Sequence, residues 1–130
     1  MIFVNLPVKD LARSREFFTA LGYSFNEQFT DENATCLAIS DTIFAMLLVE
    51  PFFKTFTTRD VADTSEVAEA LIALSTDSRE EVDALVGKAF EAGAGTAGPV
   101  QDLGFMYSRS FLDLDGHQWE VLWMDPSHVQ

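Results

Sequence analysis

The sequence holds little of the material from which several common sites are built. It has a single cysteine, Cys36, and two histidines, His117 and His128. One cysteine excludes an internal disulfide framework and a cysteine-based zinc site. Two histidines do not make a histidine-rich metal cluster. Bases are also scarce: eight Lys and Arg stand against 21 Asp and Glu, a formal net charge of −13. A surface of that sign repels phosphate backbones and anionic headgroups, so neither nucleic acid nor membrane is an expected partner. No apolar run approaches the roughly 18 residues of a membrane-spanning helix. Met1-Ile2-Phe3-Val4-Asn5 lacks the basic opening of a signal peptide. The sequence contains no Gly-x-Ser-x-Gly, phosphate loop or dinucleotide fingerprint. The expectation is a cytoplasmic protein.

What is present is an ordinary globular composition. The 130 residues are 48% apolar and 22% charged, which suits a single domain over residues 1–130. The acidic excess is uneven. Residues 1–59 carry seven acids and five bases, residues 60–91 nine and two, and residues 92–130 five and one. The middle stretch reads as a solvated face that keeps molecules apart, or as a surface that attracts a cation.

Periodicity predicts a strand over Ile2–Val8, then a helix entered at Asp10 and closed by Gly22, with Leu11, Phe17, Phe18 and Leu21 on one face. Strands follow over Tyr23–Phe29, Thr35–Ile39 and Ile43–Val49, with turns at 31–33 and 40–42. The pattern then restarts. Alternation predicts a strand over Glu69–Thr76. Ser78-Arg79-Glu80-Glu81 has capping-box spacing, and Val82, Leu85, Val86, Ala89 and Phe90 fall at helical intervals. Gly93 closes that helix, 95–99 is a short strand or loop, and strands run over Phe105–Leu112 and Gln118–Met124. The halves, 1–50 and 66–125, repeat in pattern rather than in sequence. They are joined by a linker, 51–65, whose Phe52, Phe53 and Phe56 are expected to pack on something apolar. The fold class is α+β: tandem βαβββ repeats forming a curved mixed sheet around a cleft. About 65–70 residues per half is too few to bury a sheet alone, so two halves or two chains pair.

This arrangement resembles the vicinal oxygen chelate superfamily, which includes glyoxalase I, bleomycin resistance proteins, fosfomycin resistance enzymes and extradiol dioxygenases. Two stretches carry the resemblance: Val4 to Leu11 continuing through Phe17 to Gly22, and Tyr107 to Val121 with its Asp115-Gly116-His117-Gln118-Trp119-Glu120 ending. It is nearest the bacterial lactoylglutathione-lyase-like group. The resemblance implies four metal-ligand positions. They fall on Phe3, on Ala70 or Leu71, on Met46 and on Glu120. Only Glu120 is a hard ligand, and a catalytic dication needs about three. No cofactor is therefore expected, with a divalent metal as the minor alternative.

The expected ligand pocket comprises Glu120 with Phe3, Asn5, Met46, Leu48, Phe52, Tyr107 and Arg109. Glu120 reads either as a carboxylate paired to Arg109 or Tyr107, or as a pocket acid holding a ligand cation. His117, in its turn, reads as solvent-facing, and Cys36 as a small buried hydrophobe. The first functional reading is metal-independent binding of a small, cationic or aromatic molecule by a homodimer. The alternatives are a metal-dependent lyase or dioxygenase that recruits Glu50 or His117, and a structural dimer with a filled cleft.

Overall fold

A computed structural model describes residues 1–128. The chain divides into two compact units, Met1–Asp63 and Thr64–Gln130. Each carries one four-stranded mixed sheet and one long helix, so the expected βαβββ pattern is found twice.

In the first unit the order is β1 (Ile2–Val8), α1 (Leu11–Ala20), β2 (Ser24–Asn26), β3 (Ala34–Ala38) and β4 (Ile43–Val49). The sheet runs β1-β4-β3-β2, with β1 parallel to β4 and the other pairs antiparallel. Asp10 starts α1 because its extended backbone lets its carboxylate accept the Arg13 N–H at 3.1 Å. Gly22 ends the turn at φ 102°, a conformation that favours glycine. Phe17 and Phe18 are buried and meet edge to face at 5.0 Å. Leu6, Thr35 and Leu47 share one sheet face, and Arg15 on α1 reaches it by donating to Thr35 at 3.0 Å. The strand expected over Tyr23–Phe29 stops at Asn26. There the Asn26 side chain accepts the Gln28 N–H and the chain winds into a short 3-10 turn. The linker forms a four-residue helix, α2 (Glu50–Phe53), and a 3-10 turn over Lys54–Phe56. Phe52 and Phe53 are half-buried, and Phe56 packs edge-on against Phe52 while staying 70% exposed.

In the second unit the order is β5 (Leu71–Ser75), α3 (Arg79–Glu91), β6 (Gln101–Asp102), β7 (Met106–Leu112) and β8 (Gln118–Met124). The sheet runs β5-β8-β7-β6. Ser78 caps α3 by accepting the Glu81 N–H, and Glu81 reaches back to accept from Asp77 N–H rather than from the cap itself. Val82, Val86 and Ala89 of α3 are fully buried, as are Phe111, Trp119 and Val121 of the sheet. β5 is shorter than the strand expected over Glu69–Thr76. The region 95–99 yields only an isolated bridge from Gly95 to Leu112, and the edge strand forms later, at Gln101–Asp102.

Arg79 ties the start of α3 to that edge. Its guanidinium donates to both Asp102 carboxylate oxygens at 2.9 Å and to the Gly104 carbonyl, and sits over the Tyr107 and Trp123 rings. The Arg79 hydrogen bond, followed by the Gly104 N–H, holds the Asp102 carboxyl down from 3.8 to about 2. The folded state thus binds this proton less tightly than the unfolded chain does. The stabilisation is present above 3.8 and is lost as the pH falls through about 2. Asp102→Asn is expected to be less stable than the wild type at neutral pH. Chemical denaturation at stepped pH should show that gap closing as pH 2 is approached, and a gap that persists unchanged would contradict the clamp.

Candidate functional site

The site is set by the turn between β7 and β8. Asp113 Oδ1 accepts the N–H groups of Asp115 (2.9 Å) and His117 (3.0 Å), and Oδ2 accepts the Trp119 indole N–H at 2.9 Å. Burial pushes the Asp113 carboxyl up, against the pull of His117 and of these three donors. His117 is 2% exposed, so the solvent-facing expectation is corrected: its Nδ1 bonds the Glu69 carboxylate. Asp113 draws the turn inward, and the imidazole goes with it. Gly116 has φ 84°, and a Cβ there would stand 3.0 Å from the Thr64 carbonyl oxygen. The Thr64 hydroxyl in turn donates to the Asp115 carbonyl.

With the turn fixed, alternation along β8 sorts the side chains. Trp119 and Val121 face the core of the unit. Gln118, Glu120 and Leu122 take the other face, with Ser110 opposite Glu120, Leu112 opposite Gln118 and Ala73 alongside Glu120 on β5. Leu71, one of the two candidates for the second-half counterpart of Phe3, lies two residues before Ala73 and pairs with Gln118. On this face lies a recess of about 240 Å³ in which Gln101, Ser108, Ser110, Gln118 and Glu120 are walled by the 97–99 loop. A second recess of about 200 Å³ adjoins it, sharing Ala97 and Gln118 and extending to Glu66. Among the described residues, no hydrogen bond or ion pair engages the half-buried Glu120 carboxylate.

Arg109 and Tyr107 do not pair with Glu120. They stand across the sheet with Val121 and Trp123, and both bond Asp83 of α3, at 3.0 Å and 2.7 Å. Those two bonds, Tyr107 first, hold the Asp83 carboxyl below its usual range, and Asp83 raises the Tyr107 phenol. The other expected pocket residues lie in the first unit. Phe3, 45% exposed, stacks on Phe44 at 5.2 Å; Asn5 pairs with Met46; Leu48 is buried and Phe52 half-buried. Cys36 is fully buried as expected, and burial raises its thiol.

The donors around Glu120 are amides and hydroxyls, which are weak ligands for a catalytic dication. Among the described residues no three His, Cys, Asp or Glu side chains converge as a metal-binding group. His117 is committed to Glu69, and Glu50 opens α2 in the first unit. The donor set does not fit the metal that the resemblance implies.

Glu120 was legible from its motif. Strand alternation puts Gln118 on the same face as Glu120. The antiparallel register of β7 on β8 supplies Ser108 and Ser110.

Residues 1–40 match the bleomycin resistance protein-like N-terminal family. A hypothetical protein, SA1046 from S. aureus, is 29% identical, with a TM-score of 0.82 over 95% of this chain and 92% of that one. A glyoxalase/bleomycin resistance protein/dioxygenase family enzyme from Burkholderia phytofirmans is 17% identical, with a TM-score of 0.77 over 94% and 96%. A glyoxalase-related enzyme from Fulvimarina pelagi is 19% identical, with a TM-score of 0.78 over 95% and 86%. The last two establish likeness of fold. No curated protein matches the chain. No helix among the described residues is long and apolar enough to cross a membrane.

Asp113→Ala would strand three donors, two of them on buried residues. At about 1–3 kcal/mol for each unsatisfied buried group, the loss should reach at least about 2 kcal/mol in urea unfolding. A loss under about 1 kcal/mol would show that the turn does not depend on this carboxylate.

Proposed function

We propose that this chain, a vicinal oxygen chelate superfamily protein by its fold and by the family match over residues 1–40, binds a small organic amine at Glu120 without a metal. The observation that carries the reading is the unpartnered Glu120 carboxylate in a recess of neutral polar groups. A partly buried carboxylate is stabilised by a cation that also donates hydrogen bonds, and a protonated amine does both. Neither arginine of β7 and α3 provides that cation. Arg109 is held by Asp83 and Arg79 by Asp102. Gln101, Gln118, Ser108 and Ser110 suit the remaining hydrogen bonds of a polar ligand. Among the described residues no aromatic ring lines the recess, so charge rather than stacking is the basis of recognition.

We also read the protein as a homodimer. β1 is the edge of its sheet, and its end carries Ile2 at 58% and Phe3 at 45% exposure. Unpaired strand edges with exposed apolar side chains are suited to self-association.

The binding test is calorimetry with n-butylamine and, as the neutral control, n-butanol. The amine should bind and the alcohol should not, and Glu120→Gln should weaken the amine by about tenfold or more. Equal binding by wild type and variant would refute the role of Glu120. Light scattering should return twice the 14.5 kDa chain mass, and a monomer at micromolar concentration would remove the dimer.

A further inference from the structure

The Glu120 recess does not end at its own wall. It shares the lining residues Ala97 and Gln118 with the second recess, so the two adjoin within the second unit and are taken together as a groove. The second recess is partly apolar, through Val67, Ala68 and Leu112. It is also lined by Glu66, an exposed carboxylate that, like Glu120, has no hydrogen bond or ion pair among the described residues. Each recess therefore presents one acceptor anion, and the second adds apolar surface. Among the described residues no basic side chain lines either recess.

We infer that the groove takes an elongated dication, a diamine or short polyamine, with one ammonium at Glu120, a second at Glu66 and the methylene chain over Ala97 and its apolar neighbours. This rests on the reading of Glu120 as an amine site and extends it to a ligand class. Three features favour a dication over a monocation. The two carboxylates line adjoining recesses that share Ala97 and Gln118. An alkyl chain laid over Val67, Ala68 and Leu112 removes apolar surface from water. The unit holds 12 acids and three bases from residue 64 onward, and a field of that sign draws a doubly charged ligand more strongly than a singly charged one.

The test is calorimetry at low ionic strength with 1,3-diaminopropane, 1,4-diaminobutane and 1,6-diaminohexane against n-butylamine, on wild type, Glu66→Gln and Glu120→Gln. One chain length should bind roughly fivefold more tightly than the monoamine, the gain expected of one additional solvent-exposed ion pair. Glu66→Gln should return that diamine to the monoamine level and leave n-butylamine unchanged. Glu120→Gln should weaken both. Because Glu66 is exposed and unbonded, Glu66→Gln should fold as the wild type, which circular dichroism checks. If n-butylamine binds through Glu120 but no diamine gains, the inference is overturned and the Glu120 reading stands. A diamine gain that survives Glu66→Gln would reflect diffuse attraction to an acidic surface and would also overturn it. If no amine binds at all, the Glu120 reading fails and this inference fails with it.

Discussion

A buried carboxylate holds the second unit to its geometry. Asp113 takes three donors, from the Asp115 and His117 backbone and from the Trp119 indole, and so joins the tip of a turn to the first core residue of the strand that follows. An aspartate placed where burial opposes its charge is tolerable only when its lone pairs are occupied. The bonds that occupy them also leave β8 no freedom of register. A slip of one residue would exchange the faces of Trp119 and Glu120, burying a charge and exposing an indole. The position of Glu120 in a recess is thus a consequence of Asp113, seven residues away, more than of anything Glu120 itself touches.

The same register explains why Glu120 has no ion pair among the described residues. Antiparallel pairing puts Tyr107 and Arg109 on the face that α3 covers, and there Asp83 takes both. Arg79, at the start of the same helix, is taken by Asp102. Each arginine on α3 and β7 thus serves to attach helix to sheet. This division follows from topology. A helix lying across one face of a sheet needs polar attachments at its rim, and the long guanidinium reaches them while its stem stays against apolar surface. The opposite face keeps a carboxylate among amides and hydroxyls.

Much of this could be read from the sequence, and the exceptions share a physical cause. The apolar runs Ile2–Val8, Ile43–Val49 and Gln118–Met124 form strands with the bounds that the sequence predicts. The helices follow from Asp10 and Ser78 as caps and from the spacing of Phe17, Phe18, Val82 and Val86. Local rules fail where a non-local bond decides. The edge strand β6 is placed at Gln101–Asp102, where Arg79, 23 residues earlier, holds it. His117 looks like an exposed turn residue until Asp113 pulls its backbone in and Glu69, 48 residues earlier, meets its ring. The pocket shows the same contrast. Glu120 carries a motif, but Ser108, Ser110 and Gln101 reach it only through strand pairing, and no spacing rule along the chain finds them.

The acidic excess acquires a more specific meaning from these placements. Several of the acids in the second unit are already engaged: Asp83 and Asp102 with arginines, Asp113 with its three donors, Glu69 with His117, Glu81 with the entry to α3. These charges are structural, and their bonds offset the repulsion they create. Glu66 and Glu120 differ because each stands in a recess with no such bond among the described residues. A charge that contributes nothing to folding still raises the electrostatic cost of the folded state, through repulsion from its acidic neighbours. That cost falls when a counter-charge arrives, so binding a cation would relieve a strain the fold otherwise carries. Net charge alone says only that the surface is acidic; the hydrogen-bond pattern separates the carboxylates that hold the fold from Glu66 and Glu120, which have no such bond among the described residues.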